Sequence, residues 1–154
     1  MITKRILELL KFREFISVAT CDLAGRPNAA PKFLLKALDG HIFLIDYIIG
    51  RTHQNIKINP RVSLSFVDTD SLIGYQINGS AELIESGHEY EKLIHELSAR
   101  EIDLSIKRVI EGVNKGKVHG GFEVGLTDKF VVIKIKIEEG VELSPRGTLK
   151  REKT

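Results

Sequence analysis

The 154-residue sequence predicts an α+β fold, a small antiparallel β-barrel with helices at its periphery. Three observations lead there. Short β-rich runs follow one another at hairpin spacing, with Asp39-Gly40 the strongest turn signal. Helical periodicity is confined to the N-terminus, to one short stretch between strands, and to residues 86–111. Gly79 interrupts the longest strand, which invites the bulge or bend that barrels use at corners.

Taken in order, Ile2 to Phe12 sets Ile6, Leu7, Leu9 and Leu10 between Lys4, Arg5, Glu8 and Lys11. That is the spacing of a helix with one buried face, and Thr3 is its candidate cap. Phe15 to Thr20 is a short strand, and Asp22 to Pro27 a turn whose Gly25 and Pro27 take familiar roles. Asn28 to Leu38 is extended; Pro31 inside it predicts an edge or a bulge, where no ladder N–H is missed. His41 to Tyr47 is almost continuously apolar and suits a central strand. Gly50 to Pro60 reads as a short helix whose open start is Gly50-Arg51-Thr52. Val62 to Val67 and Gly74 to Ile84 are the next strands. Ser86 to Glu111 carries two helical stripes, Tyr90/Leu93/Ile94/Leu97 and Ile102/Ile106/Val109/Ile110, and a break at Ser98 to Arg100 predicts a helical hairpin. Val113 to Gly121 reads as a loop, Phe122 to Leu126 as a short strand, and Phe130 to Ile137 as a half-buried strand ending at Glu138-Glu139. One domain over residues 1–146 and a disordered basic tail over 147–154 complete the expectation.

Composition narrows the function classes. Hydrophobic residues at 42% and charged ones at 29% suit a soluble globular domain with a core of its own. A net charge of +2 is too small to argue for nucleic acid or an anionic membrane surface. Aromatics at 6%, with no tryptophan, leave few stacking platforms for a nucleic-acid-binding barrel. No run approaches the roughly 20 apolar residues of a membrane span. The single cysteine, Cys21, excludes an intramolecular disulfide and points to a reducing, cytoplasmic setting, with Cys21 itself a small buried hydrophobe. None of the five histidines forms an i, i+4 pair or joins a cysteine cluster, so no metal site is expected.

The informative stretch is the start of the short helix. Free N–H groups and a partial positive charge at a helix N-terminus favour an anion, phosphate above all. Arg51 and Thr52 add one charged and one neutral donor to the same place. The plainer alternative is a solvated helix start with Thr52 as a cap. No Gly-x4-Gly-Lys-Ser/Thr is present, and Gly116 to Gly121 fails that spacing. No nucleophile elbow is present either. Lys32 stands in an apolar strand beside Pro31 and Phe33; it is either an edge lysine that guards against aggregation or a functional cation.

Together these residues resemble the pyridoxamine 5'-phosphate oxidase-like split-barrel FMN-binding family. The resemblance runs through Phe15 to Thr20, Asp22 to Pro27, Ala30-Pro31-Lys32-Phe33, Gly50-Arg51-Thr52-x-x-Asn55-Ile56 and Asn59-Pro60-Arg61-Val62-Ser63-Leu64. It covers about residues 1–85 well and the rest in outline. The resemblance implies a six-stranded antiparallel split β-barrel of Greek-key order with peripheral helices, dimeric, with one FMN per subunit at the interface. It implies that Arg51 and Thr52 hold the phosphate, that Lys32, Phe33 and Leu34 run along the flavin, and that Asp46 and Tyr47 lie beside the ribityl and phosphate region. A deazaflavin would present its phosphate to the same helix. The implied chemistry is electron or hydride transfer between a nicotinamide and a small-molecule substrate; a flavin store or a haem-binding variant of the barrel is the non-catalytic alternative. Thr52 stands where many relatives carry lysine. The chain also lacks the tryptophan and the Arg-Leu-x-Pro ending with which pyridoxamine phosphate oxidases bind substrate, so that substrate is not expected. Ile48 and Ile49, beside the groove, form the candidate dimer patch.

Overall fold

The computed structural model describes residues 1–114 and 130–154. Among these residues seven strands and three helices follow in the order α1 (Ile2–Leu10), β1 (Phe15–Cys21), β2 (Pro27–Leu38), β3 (His41–Asp46), α2 (Arg51–Ile58), β4 (Arg61–Asp68), β5 (Ile73–Ile84), α3 (His88–Asn114), β6 (Val131–Leu143) and β7 (Leu149–Lys153). All pairings are antiparallel. The order β3-β2-β1-β4-β5-β6 closes through β3–β6 into a six-stranded barrel, with β7 added outside the ring. The expected α+β split barrel is therefore present.

Alternation decides which side chains enter the barrel. In β1, Ile16, Val18 and Thr20 are buried while Phe15, Ser17 and Ala19 face out. Leu34, Ile42, Leu44, Leu64, Ile77, Ile133 and Ile135 join them in the interior, and α1 adds Ile6 and Leu10. A second core lies outside the barrel, where Phe33, Leu35, Ile45 and Val132 meet Leu93, Leu97 and Leu104 of α3. The β2–β3 hairpin turns on Asp39 and Gly40, both at positive φ (51° and 73°), as the Asp-Gly pair predicts.

The barrel is split because some strands have different neighbours along their length. Among the described residues Pro27 to Lys32 pairs with β1 only; β3 joins the other edge of β2 from Phe33 onward. Pro31 lies in that half-open stretch, as expected of a strand proline. On one edge β6 meets β3 through Val131–Lys136 and β7 through Glu139–Leu143, with β5 along its whole other edge. The β5–β6 register slips between Asn78 and Gly79, which face Glu139 and Ile137.

Four expectations are corrected. The 86–111 region is one helix, not a hairpin: nothing between Ser98 and Arg100 breaks it, and Arg100 docks it by donating to Leu34 O and Arg13 O, both at 3.1 Å. Glu138-Glu139 is not a strand end, because β6 continues through the bulge to Leu143. Residues 149–153 are not disordered. Their alternating charges read as a tail, but Arg151 bonds Glu139 at 3.0 Å, Glu152 accepts from Thr3 N at 2.7 Å, and Thr154 N bonds Glu138 O at 3.0 Å. Thr3 does not cap α1; Met1 occupies that position and Thr3 lies inside the helix. The Phe122 to Leu126 strand and most of the Val113 to Gly121 loop fall outside the described residues.

Candidate functional site

Helix α2 plugs one end of the barrel and is fastened on several sides. Ile56 enters the core. Asn55 Nδ2 donates to Thr20 Oγ1 at 3.0 Å, and Asn59 Nδ2 to the Cys21 carbonyl at 3.2 Å. His53, itself buried, meets Glu85 at 2.6 Å, and this hydrogen bond holds the Glu85 carboxyl below its ordinary range. Asn28 Nδ2 donates to Thr52 Oγ1 at 3.1 Å. The N-cap is Gly50, which supplies no side-chain cap, so the first N–H groups of α2 keep no side-chain acceptor. Arg51 is exposed and has no hydrogen-bond or ion-pair partner among the described residues. Thr52 is buried, and its hydroxyl proton has no acceptor among the described contacts. A pinned, uncapped helix start with a free guanidinium and a free hydroxyl donor can seat an anion.

Beside this seat runs the half-open stretch of β2. Asn28, Ala30 and Lys32 alternate on its inward face, while Pro27, Ala29 and Pro31 face out. Lys32 does not behave as an edge lysine. It is buried, and its ammonium donates to Asp46 Oδ1 at 2.7 Å. The structure thus pairs Lys32 with Asp46 and, four residues earlier on β2, sets Asn28 against Thr52, next to Arg51.

It places the other expected residues elsewhere. The Phe33 ring lies in the outer core, edge-on to Phe15 and Tyr47 at 5.7 and 6.2 Å between centroids. Leu34 points into the barrel. Tyr47 lies under α3 and donates from its hydroxyl to Glu101 at 3.0 Å. Burial, then that bond, pushes the Tyr47 hydroxyl far above its usual range, and burial raises the Glu101 carboxyl. Asn28 was not foreseen. Its signal was present, since it alternates with Lys32 and stands opposite Thr20.

Ile48 (79% exposed) and Ile49 protrude beside the seat. On the outer sheet face Pro31–Ser17–Ser65 and Ala29–Ala19–Ser63 form cross-strand rows without a charge. A cleft of about 550 Å³ opens at the far end of α2, lined by Ala19, Cys21, Pro27, Arg61, Ser63 and Asn78 among others. Among the described residues, no helix is long and apolar enough to cross a membrane.

A six-stranded antiparallel split barrel with peripheral helices, α2 crossing between β3 and β4, defines the class of split-barrel proteins. The family described as pyridoxamine 5'-phosphate oxidase matches residues 2–143, and the chain belongs to it. An uncharacterized protein of Methanocaldococcus jannaschii is 31% identical over 109 residues, covering 69% of this chain and 68% of that protein. The heme oxygenase HutZ of Vibrio cholerae is 30% identical over 66 residues, 43% of this chain and 37% of that protein's length. A Clostridium acetobutylicum protein related to general stress protein 26, of the pyridoxinephosphate oxidase family, superposes with a TM-score of 0.70 at 18% identity, covering 98% and 93% of the two chains. A pyridoxamine 5'-phosphate oxidase-related, FMN binding protein of Nostoc punctiforme gives a TM-score of 0.56 at 13% identity, covering 99% and 93%. The proteins to which this chain is similar thus include one described as FMN binding and one described as a heme oxygenase.

Proposed function

We propose that the chain is an FMN-binding flavoprotein, working as an oxidoreductase on a small-molecule substrate with a nicotinamide as its partner. The observation that carries this is the start of α2, uncapped, pinned by Asn28, and supplied with Arg51 and Thr52 beside a strand that is open along one edge. The residues fit the group. Arg51, the first N–H groups of α2 and the Thr52 hydroxyl would hold the phosphate, and the open edge of Pro27 to Lys32, where Pro27 and Pro31 have no N–H, offers main-chain carbonyls and the Ala29 N–H to a planar ring. FMN would supply the electron or hydride transfer; the chain's own part is to bind and orient it. A deazaflavin phosphate fits the same seat.

The native unit in this reading is a homodimer. Two surfaces support it: the protruding Ile48 and Ile49, and the uncharged rows through Ser17 and Ala19, where a solvated sheet face ordinarily carries charge.

Titration of ligand-free protein with FMN and with riboflavin tests the seat. FMN is expected to bind tighter than riboflavin, and Arg51→Ala to lose about tenfold in FMN affinity, near 1.4 kcal/mol for a charge-assisted contact. Equal affinity for FMN and riboflavin would rule out a phosphate seat. The haem reading is favoured by the likeness to HutZ and by a heme binding protein of Mycobacterium smegmatis that shares the fold at a TM-score of 0.62 and 16% identity. A Soret band in the purified protein, without flavin absorbance, would establish it in place of the flavin. Mass spectrometry of the released ligand separates FMN from a deazaflavin.

A further inference from the structure

The cleft at the far end of α2 opens where β1 and β4 part. Asp22 N bonds Arg26 O and Leu34 N bonds Glu14 O, which turns the main chain of even-numbered β1 residues toward β2. Ala81 N bonds Pro60 O and likewise turns even-numbered β4 residues toward β5. The odd-numbered residues of β1 and β4 therefore face each other, bonded through Ser17–Ser65 and Ala19–Ser63. Cys21 and Arg61 come next in that register, but the pairing stops before them. The Asn59 carboxamide stands in their place. Its Nδ2 donates to the Cys21 carbonyl at 3.2 Å, and its Oδ1 accepts from Arg61 N at 3.3 Å. One half of the missing pair is thus replaced by an amide of the chain itself. The other half, the Cys21 N–H and the Arg61 carbonyl, has no partner among the described residues, and both residues line the cleft of about 550 Å³. Inside a sheet such groups are ordinarily paired. Ala19 and Pro27 give the cleft apolar walls. Arg61 is exposed, and its guanidinium has no hydrogen-bond or ion-pair partner among the described residues.

We propose that this cleft binds a small planar molecule that carries a carboxamide and an anionic group. The carboxamide completes the missing pair: its oxygen accepts from the Cys21 N–H and its N–H donates to the Arg61 carbonyl. Asn59 does the same for the other half. The Arg61 guanidinium meets the anion. A carboxylate in place of the carboxamide brings no N–H to the Arg61 carbonyl and sets two acceptors against each other, so the site separates amide from acid. The cleft is distinct from the seat at Arg51 and Thr52, and the proposal goes beyond the flavin reading without resting on it. A second copy of the chain is the competing occupant, because Ala19 and Ser63 at the rim also belong to the uncharged sheet face.

Cys21 is the one cysteine of the chain and lines the cleft, so its reactivity reports occupancy. The test follows its modification by methyl methanethiolsulfonate, read by intact mass, in wild type and in Arg61→Ala. The probes are nicotinamide mononucleotide, nicotinic acid mononucleotide and nicotinamide riboside. The amide nucleotide is expected to protect Cys21. The acid is expected to need about tenfold or more higher concentration for the same protection, as a lost hydrogen bond and an unpaired acceptor require. The acid carries one more negative charge, so a site that reads charge alone would favour it. The riboside on wild type, and the amide nucleotide on Arg61→Ala, are each expected to protect about tenfold more weakly. No protection by the amide nucleotide, equal protection by amide and acid, or protection undiminished in Arg61→Ala overturns the proposal. A Cys21 that is slow in a ligand-free dimer and fast in a Ser17→Arg monomer also overturns it, and gives the cleft to the second copy. None of these outcomes touches the seat at α2, which the comparison of FMN with riboflavin decides.

Discussion

Replacing Gly79 by alanine would put a methyl carbon 2.1 Å from the carbonyl oxygen of Lys136 and 3.1 Å from its carbonyl carbon. Real Cβ atoms essentially never come within 3.0 Å of another heavy atom, so strand β5 or β6 has to move by about 1 Å. The obstacle is main chain of the facing strand, and a rotamer change cannot relieve it. Overpacking of this kind costs roughly 1–3 kcal/mol. Movement at the register slip also weakens about two ladder hydrogen bonds, worth roughly 1 kcal/mol each. Alanine returns about 0.5–1 kcal/mol by stiffening the unfolded chain. The net expectation is a destabilisation of about 3 kcal/mol, or a fall in melting temperature on the order of 10 °C for a chain of this size. Gly140 is the control: its added Cβ would meet Ile2 Cγ2 and Ile6 Cδ1 at 3.2 Å and Thr3 Oγ1 at 3.3 Å. These are side-chain atoms of one surface helix, which can shift, so Gly140→Ala is expected to cost no more than about 1 kcal/mol. Thermal melts of both variants measure the difference. A Gly79→Ala protein melting within about 3 °C of wild type would refute the close approach at the bulge.

Glu101→Gln is expected to raise the melting temperature at neutral pH, because burial disfavours the Glu101 carboxylate while a glutamine oxygen can still accept from Tyr47. The sign follows from the raised pKa: wild type carries no penalty below the ordinary value of 4.5 and loses stability as pH rises through the higher folded value, so the gain should fade in melts below pH 4.5. Ala19→Arg, which plants a charge in the middle of the uncharged sheet face, is expected to convert a dimer to a monomer. Light scattering reads the mass, and an unchanged dimer would exclude this face as the contact.

The strands were legible because the barrel has one wet face and one dry face, so hydrophobic alternation reports burial directly. The Asp39-Gly40 turn and the Gly79 irregularity were legible because glycine is needed where φ is positive or where backbones crowd. The start of α2 was legible as an anion seat because its residue types carry their chemistry locally. Other features depend on partners distant in sequence. Lys32 reads as either an edge lysine or a functional cation until Asp46 is seen across the hairpin, and the Tyr47 contact with Glu101 is invisible until α3 is laid over the strand. Strand β7 has no apolar alternation; Glu139 and the start of α1 hold it in place, and neither is visible from residues 149–153 alone. The continuity of α3 was missed for the opposite reason: two apolar stripes implied a bend, yet only a residue such as glycine or proline would have forced one.

The double-edged role of β6 sets the order in which the chain can assemble. Strand β3, made from residues 41–46, waits for Val131 to Lys136 before its outer edge is covered, and β5 waits for the same strand. During synthesis both edges therefore stay open while α3 is made, each presenting unpaired N–H and C=O groups to any neighbouring chain. Pairing across so long a separation carries its loop-closure entropy before it gains contacts, which slows folding. Until residues 131–143 arrive, the nascent protein is an open five-stranded sheet with two adhesive rims, and its yield in a crowded cell depends on how quickly β6 follows.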